Sequence, residues 1–75
     1  MPYTVSQIKV FAYNRQEPPD AAEEEATLYR CLRYCYDLHR AGYEQKDIEP
    51  IMAGYIEYFE FLKWQKEQNE QKGGD

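Results

Sequence analysis

Cys31, Cys35 and His39 recur at every fourth position of one run, the spacing that lines side chains along a single helix face. Thiols and an imidazole in such a row invite two chemistries, metal ligation and Cys–His nucleophilic catalysis. Ligation fails on geometry: the outer two residues stand ~12 Å apart along a helix axis, too far to share one ion. The chain holds no other Cys or His, so a tetrahedral site would need a second copy. Catalysis fails on partners, because no third group orients the imidazole and no oxyanion donor motif accompanies the thiols. The row is expected to supply small core residues with a histidine at their rim.

The remaining polar groups point the same way. Glu57 and Glu60 form one of many possible carboxylate pairs, but they fall on a solvated face without the apolar surroundings that raise a carboxyl pKa for acid catalysis. The only glycine pair, Gly73-Gly74, lies at the C-terminal end and makes no phosphate loop. No enzyme, metal or cofactor is expected. Arg30, Arg33 and Arg40 are the one concentrated positive feature. The charge runs +1 over residues 1–19, -4 over 20–26, +2 over 27–42 and -4 over 43–75. The arginine row could hold a phosphate, a small anionic nucleotide or an acidic partner surface, or it could pair with Asp37 and the acidic start of its own helix. Direct duplex binding is disfavoured, because the flanking acidic segments repel phosphates.

Elements that could position these groups are bounded by length and composition. Seventy-five residues make at most one small domain, and 43% hydrophobic with 16% aromatic content is too apolar for a disordered chain. No apolar run approaches the ~20 residues that span a bilayer, and the N-terminus does not read as a secretion peptide. Two Cys four apart on one helix fit disulfide geometry poorly, so reduced thiols of a cytoplasmic protein are expected.

The expected architecture is all-α: a helical hairpin of two long antiparallel helices with a short N-terminal helix. It occupies a single domain over 1–70 with a polar, flexible tail over 71–75. Thr4 and Gln7 match a capping box opening a helix over 5–14, with Tyr3 and Ile8 as a hydrophobic staple. The rival for this segment is a strand shared between two copies, since Val5, Ile8, Val10, Phe11 and Tyr13 are good strand formers. Pro18-Pro19 separates it from a second helix, capped by Asp20 with Glu23 at the capping-box position, that runs to about Ala41 and closes on Gly42. Asp47 is expected to cap the third helix, which places Pro50 in its first turn and carries it to about Glu70.

At ~100° per residue, Leu28, Cys31, Leu32, Cys35, Leu38 and His39 share one side of the second helix, flanked by Tyr29 and Tyr36, with Arg30, Arg33, Asp37 and Arg40 on the opposite side. Ile48, Ile51, Met52, Tyr55, Phe59 and Leu62 share a face of the third, with Ile56 and Tyr58 at its margins. Phe61 and Trp64 break the pattern, projecting with Glu57 and Glu60 away from the core face. The N-terminal segment, a second copy or a different partner could cover them. A chain below ~70–80 residues, without covalent staple or metal, rarely draws more than ~3–5 kcal/mol from its own core. A homodimer or a lasting partner is therefore expected.

The run Leu28-Tyr29-Arg30-Cys31-Leu32-Arg33-Tyr34-Cys35-Tyr36-Asp37-Leu38-His39-Arg40-Ala41-Gly42, followed by Glu44-Gln45, resembles a helical pattern in small uncharacterised proteins of phages and mobile elements of Gram-positive bacteria. That family brings no assigned activity and no functional residue. The resemblance implies a mobile-element accessory protein in a bacterial cytoplasm. In that setting, short acidic proteins often resemble inhibitors that occupy the basic nucleic-acid channel of a host defence enzyme, in the manner of anti-CRISPR proteins. The expected function is thus non-catalytic protein binding, with Glu23, Glu24, Glu25, Glu57 and Glu60 as phosphate mimics and Phe61 and Trp64 as anchors. The alternatives are an oligomeric small-anion or nucleotide sponge built on Arg30, Arg33 and Arg40, or a structural or assembly protein of a phage.

Overall fold

The computed structural model describes residues 2–73, with side chains described through Asn69. These residues form three helices, α1 (Val5–Tyr13), α2 (Glu23–Arg40) and α3 (Gln45–Gly73). No strand occurs among them, so the N-terminal segment takes the helical alternative rather than the strand.

Local chemistry explains most of the boundaries. Thr4 Oγ1 accepts from Gln7 N at 3.2 Å and Gln7 Oε1 accepts from Thr4 N at 2.9 Å, the reciprocal capping box that starts α1. Tyr3 packs beside the cluster that holds Ile8, and its ring meets Phe11 edge-on at 5.5 Å. Two helix ends share one closing motif. After α2, Tyr43 N donates to Leu38 O and Gly42 N to His39 O, with Gly42 in left-handed backbone at φ 100. After α1, Gln16 N donates to Phe11 O and Arg15 N to Ala12 O, and the left-handed position is taken by Arg15 at φ 57. A non-glycine residue there costs about 1–2 kcal/mol.

Two starts differ from expectation. Asp20 does not cap α2: its backbone is left-handed at φ 55, whereas an N-cap needs the extended conformation that Ala22 adopts. The capping carboxylate is Glu25, whose Oε1 accepts from Ala22 N at 2.8 Å. α3 begins at Gln45 rather than after Asp47, which puts Pro50 inside the helix. The proline removes the bond that residue 50 would donate to the Lys46 carbonyl and crowds that carbonyl, a cost taken near the start of the helix beside an exposed residue. At its other end α3 continues through Gly73, past Glu70, because no proline or glycine interrupts the good helix formers between Gln65 and Lys72. The remainder of the polar tail expected over 71–75 lies outside the described residues.

Ile8 and Ala12 of α1, Leu28, Tyr29 and Leu32 of α2 and Phe59 of α3 form one buried cluster. Met52, Tyr55 and Ile56 pack half-buried against it from α3, and Val5 and Phe11 from α1. Cys35 and Ile48 are buried too, but Ile51, expected in the core, is exposed at the edge of the α3 face. α2 is the central element: α1 and α3 both pack on it, and contact between α1 and α3 is slight. The dimensions, 51 × 25 × 15 Å, follow the length of α3, which at 1.5 Å per residue outreaches the other helices.

Candidate partner-binding surface

Phe59 and Phe61 lie two residues apart on α3, and a helix turns ~200° over that interval. The consequence is that Phe59 is 2% exposed and Phe61 51%. Stepping by three residues keeps side chains adjacent on a helix surface, and Tyr58, Phe61 and Trp64 occupy such a stripe. Tyr58 and Trp64 are 57% and 56% exposed. The rings of Phe61 and Trp64 stand 6.2 Å apart at 30°, in tilted contact. Of the three coverings open to this pair, the N-terminal segment is not the one used, because α1 docks on α2.

The expected acidic groups separate into three kinds. Glu57 and Glu60 are exposed beside the aromatic stripe. Glu60, Lys63, Trp64 and Glu67 border a shallow open depression of about 330 Å³. Glu23 is exposed at the start of α2, where it joins Glu24, Thr27, Tyr58 and Leu62 around a second depression of about 340 Å³. Glu24 is half-buried, with its Oε1 3.4 Å from Lys66 Nζ. Glu25 leaves the surface altogether. It is 4% exposed, and its second oxygen accepts from Tyr3 N at 2.6 Å. Glu25 is therefore an internal clamp between the N-terminus and α2, not a phosphate mimic. Tyr58 belongs to the surface although the helical pattern puts it at the margin of the core face; its i, i+3 spacing to Phe61 was the available signal.

The arginine row also divides. Arg40 turns toward α1: its Nη2 donates to Tyr13 O at 2.8 Å, its Nη1 lies 3.3 Å from Asp37 Oδ1, and it stands 5.6 Å over the Tyr13 ring. Arg15 pairs with the same Asp37 oxygen. That hydrogen bond from Arg15, with the positive charges of Arg15, Arg33 and Arg40, holds the Asp37 carboxyl below the usual carboxylate range. Arg30 and Arg33 are exposed and make no ion pair among the described residues.

The thiol row has the environment of a core edge. Cys35 is fully buried and Cys31 half-buried, both unbridged, and burial pushes both thiols above their ordinary pKa. A raised pKa suppresses the thiolate, the opposite of what activates a nucleophile. His39 is exposed, and no group of three or more metal-binding side chains gathers among the described residues.

No family model matches this chain, and no curated protein or solved structure is significantly similar to it. The surface speaks through its own chemistry: an aromatic stripe bordered by Glu57, Glu60 and Glu67, with Lys63 among them, on a helix packed against α2 from behind. No helix among the described residues is long and apolar enough to cross a membrane.

Proposed function

We propose that this chain is a non-catalytic protein-binding module that seats a basic protein surface on the outer face of α3. One observation carries the reading: Tyr58, Phe61 and Trp64 face solvent as a continuous stripe, with Glu57 and Glu60 beside them. Large aromatics are enriched at interface centres, where they supply most of the affinity. Acidic residues at a rim speed the encounter with a basic partner and exclude acidic ones.

The scaffold of this reading is a helical hairpin with α2 and α3 antiparallel. Glu24, early in α2, meets Lys66, late in α3, while Cys31 in mid-α2 shares a lining with Tyr55 and Phe59. Nucleic-acid channels are basic surfaces of the kind this face would fit. Together with the resemblance of the α2 run, this favours a mobile-element accessory protein that inhibits a nucleic-acid-binding defence enzyme in the cytoplasm of a bacterial host. The mimicry rests on Glu57, Glu60 and Glu23, with Glu24 partly engaged.

Trp64 is the only tryptophan, so its emission reports the interface directly. It should shift to the blue when a basic partner binds. Trp64→Ala should weaken that complex by more than ~1 kcal/mol while leaving the helical circular dichroism and the melting temperature alone. An unchanged affinity would remove Trp64 from the interface.

Self-association is a second reading, favoured by the further exposed apolar side chains Tyr34 and Ile51. Pairing through the α3 outer face itself would set carboxylates against carboxylates. Light scattering at two concentrations should show a dimer at the higher one; a monomer at both defeats this reading.

A further inference from the structure

The turn after α1 and the last turns of α2 meet in a cluster whose charges the fold leaves unbalanced. Arg15 reaches it from a left-handed backbone position and pairs with Asp37. Arg40 approaches the same carboxylate at 3.3 Å and is anchored by the Tyr13 carbonyl at 2.8 Å. Arg33 precedes Asp37 by four residues, which places both on one face of α2. Arg33 is exposed and has no carboxylate of its own among the described ion pairs. Three guanidinium groups thus attend one carboxylate, a surplus of two positive charges.

That surplus is partly pre-oriented. Arg15 and Arg40 are held by contacts between α1 and α2, so neither guanidinium must be ordered from a free side chain when an anion arrives. Guanidinium forks match the oxygens of a phosphate group in shape as well as charge. A monoanion would leave the cluster positive, whereas a phosphate dianion would bring it to neutrality. Tyr13 is exposed beside Arg40, and its ring meets Tyr36 edge-on at 5.6 Å, an apolar wall for whatever carries the phosphate.

We propose that Arg15, Arg33 and Arg40 form a binding site for a dianionic phosphate group. The site is built by the turn after α1 and by α2 and uses no residue of the α3 stripe, so either surface can function without the other. Free inorganic phosphate and a phosphoryl group carried on a peptide share the required chemistry.

The test is a titration of the isotopically labelled full chain at constant ionic strength, following the side-chain N–H signals of the three arginines. Inorganic phosphate and a phosphotyrosine peptide are the two ligands, with chloride as the control. Saturable shifts of Arg15, Arg33 and Arg40 are expected. Saturation by inorganic phosphate alone assigns a free-phosphate site, and saturation by the peptide alone assigns a carried phosphoryl group. For the phosphotyrosine peptide, affinity should fall between about pH 7.5 and about pH 5, as the phosphoryl group loses its second charge near pH 6; inorganic phosphate, a weaker second acid, should begin to lose affinity at higher pH. Arg33→Ala should bind about tenfold more weakly at an unchanged melting temperature, because Arg33 is exposed and makes no ion pair among the described residues. Asp37→Asn, which removes the competing charge but keeps an Oδ1 that can accept from Arg15, should bind more tightly. Shifts that never saturate, or that chloride reproduces, would overturn the site. So would an Arg33→Ala variant that binds as the parent does.

Discussion

Phe59→Ala should leave this protein largely unfolded in dilute buffer, while Phe61→Ala should leave it as stable as the parent. The two residues share a type and stand two positions apart, so any difference between them isolates burial. Phe59 is the one described α3 residue in the buried cluster, which residues of both other helices complete. Truncating a buried phenylalanine costs about 3–5 kcal/mol, the lost transfer energy plus the cavity that remains. That equals the ~3–5 kcal/mol which a core of this size supplies in total. Phe61 is half exposed on the opposite side, where substitutions change stability by about 0.5 kcal/mol or less. Far-UV circular dichroism with urea melts would measure both. A Phe61→Ala variant as damaged as Phe59→Ala would mean that the aromatic stripe is part of the fold, and the proposed binding surface would go with it.

The second large effect is expected at Glu25. Glu25→Ala should destabilise the fold by about 2–4 kcal/mol, because the carboxylate accepts two backbone N–H groups and bonds to a charged acceptor are worth about 1.5–3 kcal/mol each. Water at the exposed start of the chain returns part of that loss. Glu23→Ala, in the same helical turn but exposed, should cost little. The damage should be local first. Tyr3 N and Ala22 N both rest on Glu25, so its removal frees the segment leading into α1 and the first turn of α2 together. Amide exchange in α1 should accelerate more than exchange in the middle of α2. Equal losses at Glu23 and Glu25 would show that the clamp holds nothing.

Glu25 also marks where reading the chain residue by residue stops. Glu23, Glu24 and Glu25 look alike in sequence, three acids at a helix start where the dipole favours them. Their fates differ because a helix sends consecutive side chains ~100° apart and because each direction meets something different. One meets solvent, one Lys66 from 42 residues later, one the backbone of Tyr3 from 22 residues earlier. The arginine row divides for the same reason: Arg40 finds Tyr13 O, 27 residues before it, while Arg33 finds no carboxylate of its own among the described residues. Pro50 shows a subtler limit. Its position argued for a later start to α3, but the cost of an internal proline depends on whether the orphaned carbonyl can reach water, which is a property of the fold.

What the chain carried in its own order was local. Thr4 with Gln7 opened α1, Gly42 closed α2, and helical periodicity separated Phe59 from Phe61 and aligned Leu28, Leu32 and Cys35 on the buried side. These features depend on residues within a turn or two, where backbone geometry dictates who the neighbours are. Tertiary structure alone decided that α1 docks on α2 and leaves Phe61 and Trp64 in solvent, that Glu25 turns inward, and that Arg15 joins Arg40 at Asp37. Each of those outcomes is a contact between segments far apart in the chain, chosen by the competition among apolar faces for burial, and no spacing along one helix records which face wins.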